Sequence, residues 1–333
     1  MDSSVAAALL IEQGWHVHGV TMAAFPGQAA RDSAQAARAV ADHLGIPLTL
    51  WEGCDLFDRE IVRTFAAEYG AGRTPNPCVR CNRLIKFGAL YTVADEVGAS
   101  HFATGHYART ACRDDRIALR RAVWRPKDQS YVLAGLSQEQ LRRALFPLGS
   151  LTKDQTRARA AALGLPSAER PESQEICFIP NDDYRAFLEQ RLGKPAPGPI
   201  LSISGETLGQ HTGLIHYTVG QRKGLGIAAP RPYYVVALDP ERNAVIVGHD
   251  EATFCETLRI ADVNWQAIPP QETPFRCMAQ IRYLHHPAPA TAIPAGDELE
   301  VRFDTPQRAV TPGQWAVLYD EEDYVLAAGT IMT

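Results

Sequence analysis

Apolar and polar positions along the chain switch between a helical period and a strand period. Residues 2–13 carry an Ala/Leu run behind Asp2 and Ser3, either of which can cap a helix, and Gly14 ends it. Residues 15–22 alternate and predict a strand. Residues 32–44 predict a second helix with Gly45 just past its end, and residues 46–51 a second strand. Helices over 55–69 and 84–97 and a strand over 101–105 continue the series. Strands alternating with helices of about 12 residues predict an α/β domain with a parallel sheet and crossover connections. Residues 128–190 read as mostly helical, clearest over 138–145 and 153–163. Pro195-Ala196-Pro197-Gly198-Pro199 is a linker by composition. From residue 200 the pattern becomes short strands cut by Gly and Pro, which predicts a small barrel or sandwich at the end of the chain. These shifts divide the chain into 1–135, 136–260 and 261–333.

Composition leaves that picture standing. The 333 residues are 46% hydrophobic and 21% charged, as in ordinary globular proteins. No run of about 18 apolar residues predicts a membrane span. No basic stretch precedes an apolar one at the N-terminus, so the sequence shows no signal peptide, and we expect a cytoplasmic protein with no membrane partner. The seven cysteines are scattered and odd in number, which fits reactive or buried thiols better than a disulfide framework. A net charge of -5 argues against wholesale nucleic-acid coating and leaves room for a local basic patch.

The segment Thr74-Pro75-Asn76-Pro77-Cys78-Val79-Arg80-Cys81-Asn82 stands out. Its two prolines exclude a helix interior, so it reads as a stiff loop presenting two thiols, with Cys81 near the N-terminus of the next helix. Arg80 and Arg83 flank Cys81, and a nearby cation lowers a thiol's pKa. Half a zinc site, a structural pair and a thioredoxin-like motif compete with this reading. Zinc needs four ligands and the sequence offers no second pair; the proline lead-in is wrong for thioredoxin.

Other candidates have ordinary readings beside the functional ones. Asp2, Ser3 and Ser4 form either a simple N-cap or half of a phosphate loop. Cys177, between Ile176 and Phe178, is either a core residue or a partner thiol. Cys54, Cys112, Cys255 and Cys277 read as core or incidental. His106 follows a strand where α/β ligands sit, and is otherwise a capping or surface histidine. Residues 127–131 are a polar N-cap or a binding segment. Gln221-Arg222-Lys223-Gly224-Leu225-Gly226 is either a plain hairpin or a phosphate or nucleic-acid contact.

Taken in order, Asp2-Ser3-Ser4, residues 19–22, 74–82, 104–109, 127–131, 173–177, 217–226 and 309–314 resemble the bacterial tRNA-specific 2-thiouridylase (MnmA/TrmU) family over essentially the whole chain. The resemblance implies an ATP-pyrophosphatase-type nucleotide domain, a small central domain and a C-terminal β-barrel. It implies ATP, with Mg2+, and tRNA for Lys, Glu or Gln as partner, together with a protein that donates persulfide sulfur. ATP would adenylate O2 of the wobble uridine, and persulfide sulfur would replace it at C2. Cys177 matches the persulfide carrier and Cys81 the nucleophile that releases its sulfur. Asp2, Ser3, Met22 and Gly105 match nucleotide-binding positions. Asn76, Pro77 and Cys78 match the segment at the target base. His106, Lys127, Asp128, Gln129, Arg282, Tyr283 and Gln314 match tRNA-contacting positions.

Two departures shape the expectations. The family's phosphate loop reads Ser-Gly-Gly-Val-Asp-Ser-Ser; here Met1 stands where Val is expected, and neither the glycines nor the strand before them are in the sequence. Weakened ATP binding and lowered stability are the expectation. Cys78 stands where some family members carry Asp, so it is a potential rival to Cys81 for disulfide formation. An amidotransferase or synthetase on the same nucleotide domain, and an RNA-binding protein without catalysis, are the competing functions; neither requires two distant cysteines.

Overall fold

A computed structural model describes residues 1–168 and 176–332. The chain opens on helix α1 (Asp2–Glu12), which buries Val5, Leu9 and Leu10. Met1 holds the N-cap position without a side-chain cap, so the expected capping by Asp2 or Ser3 does not occur. The Asp2 carboxylate turns instead to Lys153. Strands β1 (Gly19–Ala23) and β2 (Leu48–Glu52) run parallel, joined by helix α2 (Gln28–Leu44), and Met22 lies opposite Trp51. β1 begins later than the alternation predicts. Trp15 lies outside the ladder, edge-on to His101 at 5.2 Å. A second parallel pair joins β3 (Phe102–Ala103) to β6 (Ala144–Leu145). Between them the chain makes an antiparallel hairpin, β4 (Ala108–Arg113) and β5 (Arg116–Arg121).

The predicted helix over 55–69 is one helical run interrupted by a wider π turn at Asp58–Val62. Residues 77–96 form a second such run: α-helical Pro77–Cys81, π-helical Asn82–Ala89, then α-helical Leu90–Glu96. The cysteine pair therefore stands inside the first turn of a helix and not in a loop ahead of one. Proline at the first helical position removes only a donor that would have been unpaired, and Asn76 caps the turn through Oδ1, which accepts from the Cys78 amide at 3.1 Å.

The central part holds β7 (Gly198–Ser202), β8 (Thr207–His211), β9 (Tyr234–Asp239) and β10 (Ala244–Gly248) in the order β8-β7-β10-β9. Six further strands close a barrel in the order β11-β14-β13-β12-β15-β16: β11 (Phe254–Trp265), β12 (Phe275–Gln280), β13 (Ala288–Ala295), β14 (Glu298–Arg308), β15 (Trp315–Tyr319) and β16 (Val325–Ile331). β11 starts ahead of residue 261 because it crosses a bulge without breaking: Asp262 takes φ +53, and the register shifts between Ala261 and Asn264. The strand thus pairs with β14 first and β16 later.

The barrel is not a separate bead. Asn264 Nδ2 and Gln266 Nε2 both donate to the carbonyls of Ala134 and Leu136. Val317, Tyr319 and Val325 share one apolar cluster with Val79, Phe87, Tyr131 and Leu133. On the hairpin, Arg113 pairs with Asp320 and Arg116 donates to the carbonyls of Trp265 and Gln266. These contacts fix the barrel against the helix that carries the cysteines.

Candidate active site

The helix from Pro77 lies between two cores. Val79 packs in the cluster shared with the barrel. Cys81 and Ile85 face a second cluster with Phe57, Ile61, Phe65 and Leu188. Ile176 and Phe178 pack on that second cluster, and Phe178 meets the rings of Phe57, Phe65 and Phe187 at 5.9, 5.3 and 5.5 Å. Two apolar anchors flanking an exposed thiol hold Cys177 at the edge of the site, so the core reading of Cys177 gives way to an outward-facing thiol. Of the motif before it, Ser173, Gln174 and Glu175 lie outside the described residues.

Cys78, Cys81 and Cys177 share one electrostatic neighbourhood. Burial pushes the Cys81 thiol up to about 11, against a lowering pull from Lys86 and raising contributions from Cys177 and Cys78. Burial also raises Cys78, again opposed by Lys86. Burial and then Cys78 raise Cys177. The expected role of Arg80 and Arg83 is corrected here. Arg80 turns away to Glu60, at 3.0 Å to its carboxylate and 2.6 Å to its carbonyl, and the cation that reaches the thiols is Lys86. Lys86 lies one turn on from Cys81, where a reading focused on the flanking arginines passes over it. All seven cysteines are free thiols; Cys112 and Cys255 are exposed, and Cys277 alone of the other four is buried.

The barrel completes the site. Thr74 N donates to Pro312 O at 2.9 Å, and Gln314 Nε2 donates to Thr74 O at 2.8 Å. Gly313 (φ +89) fits against Thr74 where a Cβ would stand 3.0 Å from its nitrogen. Tyr283 packs on Tyr131 at 6.2 Å, and its hydroxyl is raised by burial, Asp128 and Cys78. Arg282 donates to Arg308 O at 3.1 Å. Gln314, Arg282 and Tyr283 are thereby brought to the cysteine helix from far along the chain.

Three of the sequence candidates are engaged internally. His106 is a buried histidine and not a surface one, between Phe87 and Phe146, with Nδ1 2.8 Å from Thr104 Oγ1; burial and then Lys86 hold it well below the usual histidine range. Asp128 is buried and accepts from the Ala122 amide, Ser130 Oγ and Arg121. Gln129 Oε1 accepts from the Tyr107 amide at 2.9 Å. The segment 127–131 is thus an inward cap, not a solvated one.

At the N-terminus, Lys153 Nζ lies 2.8 and 2.9 Å from the Asp2 carboxylate oxygens, and Tyr107 OH donates to Asp2 Oδ1 at 3.2 Å. Gly105 meets the backbone of Asp2 and Ser3, 2.5 Å from its would-be Cβ to Ser3 N. Its lack of a side chain is therefore required by packing against α1. Met22, at the C-terminal end of β1, joins both large clusters. For an adenine nucleotide the fitting groups are Met22, as an apolar seat at a strand end, and Ser3 with the first-turn amides of α1, which have no intrahelical partner. For magnesium the fit is absent: among the described residues no three His, Cys, Asp or Glu side chains converge, and Asp2 is held by Lys153.

Comparison with known proteins matches three consecutive families: a tRNA methyl transferase HUP domain over residues 1–181, a tRNA methyl transferase PRC-barrel domain over 185–249, and an aminomethyltransferase beta-barrel domain over 255–331. The chain is 48% identical to the tRNA-specific 2-thiouridylase MnmA of Symbiobacterium thermophilum, over 99% of this chain and 89% of that protein. It is 46% identical to that of Carboxydothermus hydrogenoformans, over 99% and 94%. For Trichlorobacter lovleyi the figures are 48%, 99% and 94%. With a HUP-type first domain, a small central domain and a closed six-stranded barrel, this chain belongs to the MnmA/TrmU family of tRNA-specific 2-thiouridylases.

Proposed function

We propose that this chain is a tRNA-uridine 2-sulfurtransferase that uses ATP and a cysteine persulfide to convert the wobble uridine of tRNA to 2-thiouridine. The observation that carries the reading is that Cys81 and the two neighbours of Cys177, Ile176 and Phe178, share one apolar cluster, and that the Cys177 thiol is close enough to raise Cys81. ATP, when bound, turns the uridine O2 into a leaving group that departs as AMP after pyrophosphate is lost.

The chain's own residues do the rest. Cys177 receives sulfur from a donor protein as a persulfide, which its exposed position permits. The terminal sulfur forms the bond to C2 as the C2–O2 bond breaks. Cys81, as thiolate, attacks the inner sulfur of Cys177. The S–S electron pair leaves with the transferred sulfur, and a Cys81–Cys177 disulfide remains for an external thiol to reduce. Lys86 stabilises the thiolate that burial disfavours. Asn76, Pro77 and Cys78 face the base, and Arg282, Tyr283, Gln314, Lys127 and the internally bonded His106, Asp128 and Gln129 shape the tRNA contact.

A second reading has an observation of its own. After burial, Cys78 is the group that raises Cys177 most, which favours Cys78 as the disulfide partner. A thiolation assay tests the whole: the chain, ATP with Mg2+, a sulfur donor and unmodified tRNA specific for Lys, Glu or Gln, scored for 2-thiouridine by mass spectrometry. ATP-dependent product is the expected result. A folded chain that binds tRNA and yields none overturns the reading.

A further inference from the structure

The sequence singles out the turn Gln221-Arg222-Lys223-Gly224-Leu225-Gly226, and neither the thiol site nor its clamp uses it. The turn is built, not loose. Gln221 N donates to Thr218 O at 3.0 Å, Gln221 Nε2 donates to Lys223 O at 2.9 Å, and Gln221 Oε1 accepts from Thr218 N at 3.2 Å. Gly220 N donates to Val235 O and Val235 N to Gln221 O, which ties the turn to β9. Leu225 is buried among Ile200, Tyr217 and Val235 and anchors the tip.

This frame leaves backbone donors without protein acceptors. Gly224 and Gly226 take φ +78 and +68, and among the described residues no protein acceptor takes the amides of Lys223, Gly224, Leu225 or Gly226. Successive amides curled by left-handed residues make an anion-binding concavity. Arg222 and Lys223 are exposed and have no ion-pair or hydrogen-bond partner for their side chains among the described residues. The turn lines an open surface pocket of about 460 Å³ together with Arg231 and Tyr233. Glu251 holds Arg231 at 2.8 Å, and the Tyr233 ring stacks on His249 at 4.6 Å.

The turn packs against the barrel. A Cβ on Gly220 would stand 2.7 Å from that of Ala309, so the turn abuts the barrel at the segment leading to Gln314. Arg308 beside it receives Arg282 at its carbonyl, and Arg282 precedes Tyr283, which packs on Tyr131. Arg308, paired with Asp250 at 2.9 Å, reaches the Gly220 end of the turn, so among the described residues Arg222 and Lys223 are the unpaired cations on this side of a chain whose net charge is -5. Free amides, unpaired cations and a stacked ring are the features that hold a phosphodiester backbone without reading its sequence.

We propose that Arg222, Lys223 and the glycine turn form a second anchorage for the RNA substrate, holding a backbone phosphate away from the reacting uridine. The proposal rests on the tRNA-thiolating reading. A free nucleotide could offer the same phosphate chemistry, so both sources are measured.

The test uses the full chain and a variant with Arg222→Ala and Lys223→Ala. Affinity for unmodified tRNA is measured across a salt series, with ATP and pyrophosphate affinity in parallel. The expected result is roughly tenfold weaker tRNA binding at low salt and a salt slope shallower by about one to two, with nucleotide affinity unchanged. Thiolation at saturating tRNA keeps its kcat while KM rises, and Arg222→Lys with Lys223→Arg restores binding. Unchanged tRNA affinity and slope, or a loss confined to ATP or pyrophosphate, overturns the proposal alone. A wild-type chain that binds no tRNA overturns the functional reading with it.

Discussion

Gln314 reaches across 240 positions of sequence to donate its side-chain amide to the carbonyl of Thr74 at 2.8 Å. The contact holds the residues immediately before the Asn76 cap, so the barrel sets where the cysteine helix begins. Gln314→Ala removes one hydrogen bond, worth about 1 kcal/mol. The expected outcome is a small fall in Tm, an intact fold by circular dichroism and roughly tenfold slower thiolation from a misplaced helix start.

The proposed sulfur transfer gives each thiol a different role. Cys81→Ser and Cys177→Ser are expected to abolish 2-thiouridine formation, and Cys78→Ser to leave part of it, by mass spectrometry of digested tRNA. A dead Cys78→Ser with an active Cys81→Ser reverses the assignment between the two.

Titration of Cys81 gives a signed prediction. Its folded pKa, about 11, lies above its ordinary 9.0. The folded state therefore keeps its proton while the unfolded state loses one. This contribution to stability is complete below pH 9 and is lost as pH rises through about 11. His106 acts at the other end: its folded pKa lies below 6.5, so its contribution is present above 6.5 and fades as pH falls. Urea midpoints across pH should fall on both sides. Cys81→Ala should flatten the alkaline limb and His106→Gln the acid one. Lys86→Met should raise Cys81 further and slow its alkylation at pH 8.

Lys153 has a side chain only 3% exposed, beside an Asp2 carboxylate that keeps some solvent contact. Removing the acid alone leaves a buried ammonium. Asp2→Ala is expected to cost roughly 2 kcal/mol, less than a fully buried pair, and Asp2→Leu with Lys153→Met to recover most of it. Denaturant unfolding of the two variants beside the unaltered chain measures the effect.

Phe178 is the anchor that keeps its neighbouring thiol in place. Phe178→Ala should cost about 3 kcal/mol. It should also speed alkylation of Cys177 while slowing thiolation, since a released thiol is easier to reach and harder to aim.

Much of the architecture is legible in the order of periods. The α/β alternation before residue 130 and the Pro/Gly-punctuated strands after 200 follow from patterning. The cysteine segment is the instructive miss. Two prolines argue for a loop, yet Asn76 followed by Pro77 is also an N-cap and first-helical-position pair, and that is how the chain uses it. Arg80 and Arg83 stand beside Cys81 in sequence, but a helix points neighbours in different directions; Lys86 reaches the thiols because the π-helical stretch from Asn82 turns it that way. The burial of His106 and Asp128 depends on Phe146, Ser130 and Arg121, contacts that no local pattern announces.

The clamp between the 312–314 segment and Thr74 also has a consequence in time. A chain leaves the ribosome from its N-terminus, so Cys81 and Cys177 emerge long before the segment that clamps Thr74. Sulfur loaded onto a nascent chain would meet an unfinished substrate cradle. On the proposed chemistry, catalytic competence is a late event in synthesis, and a polypeptide released before the barrel closes would carry the thiols without the contact that holds Thr74.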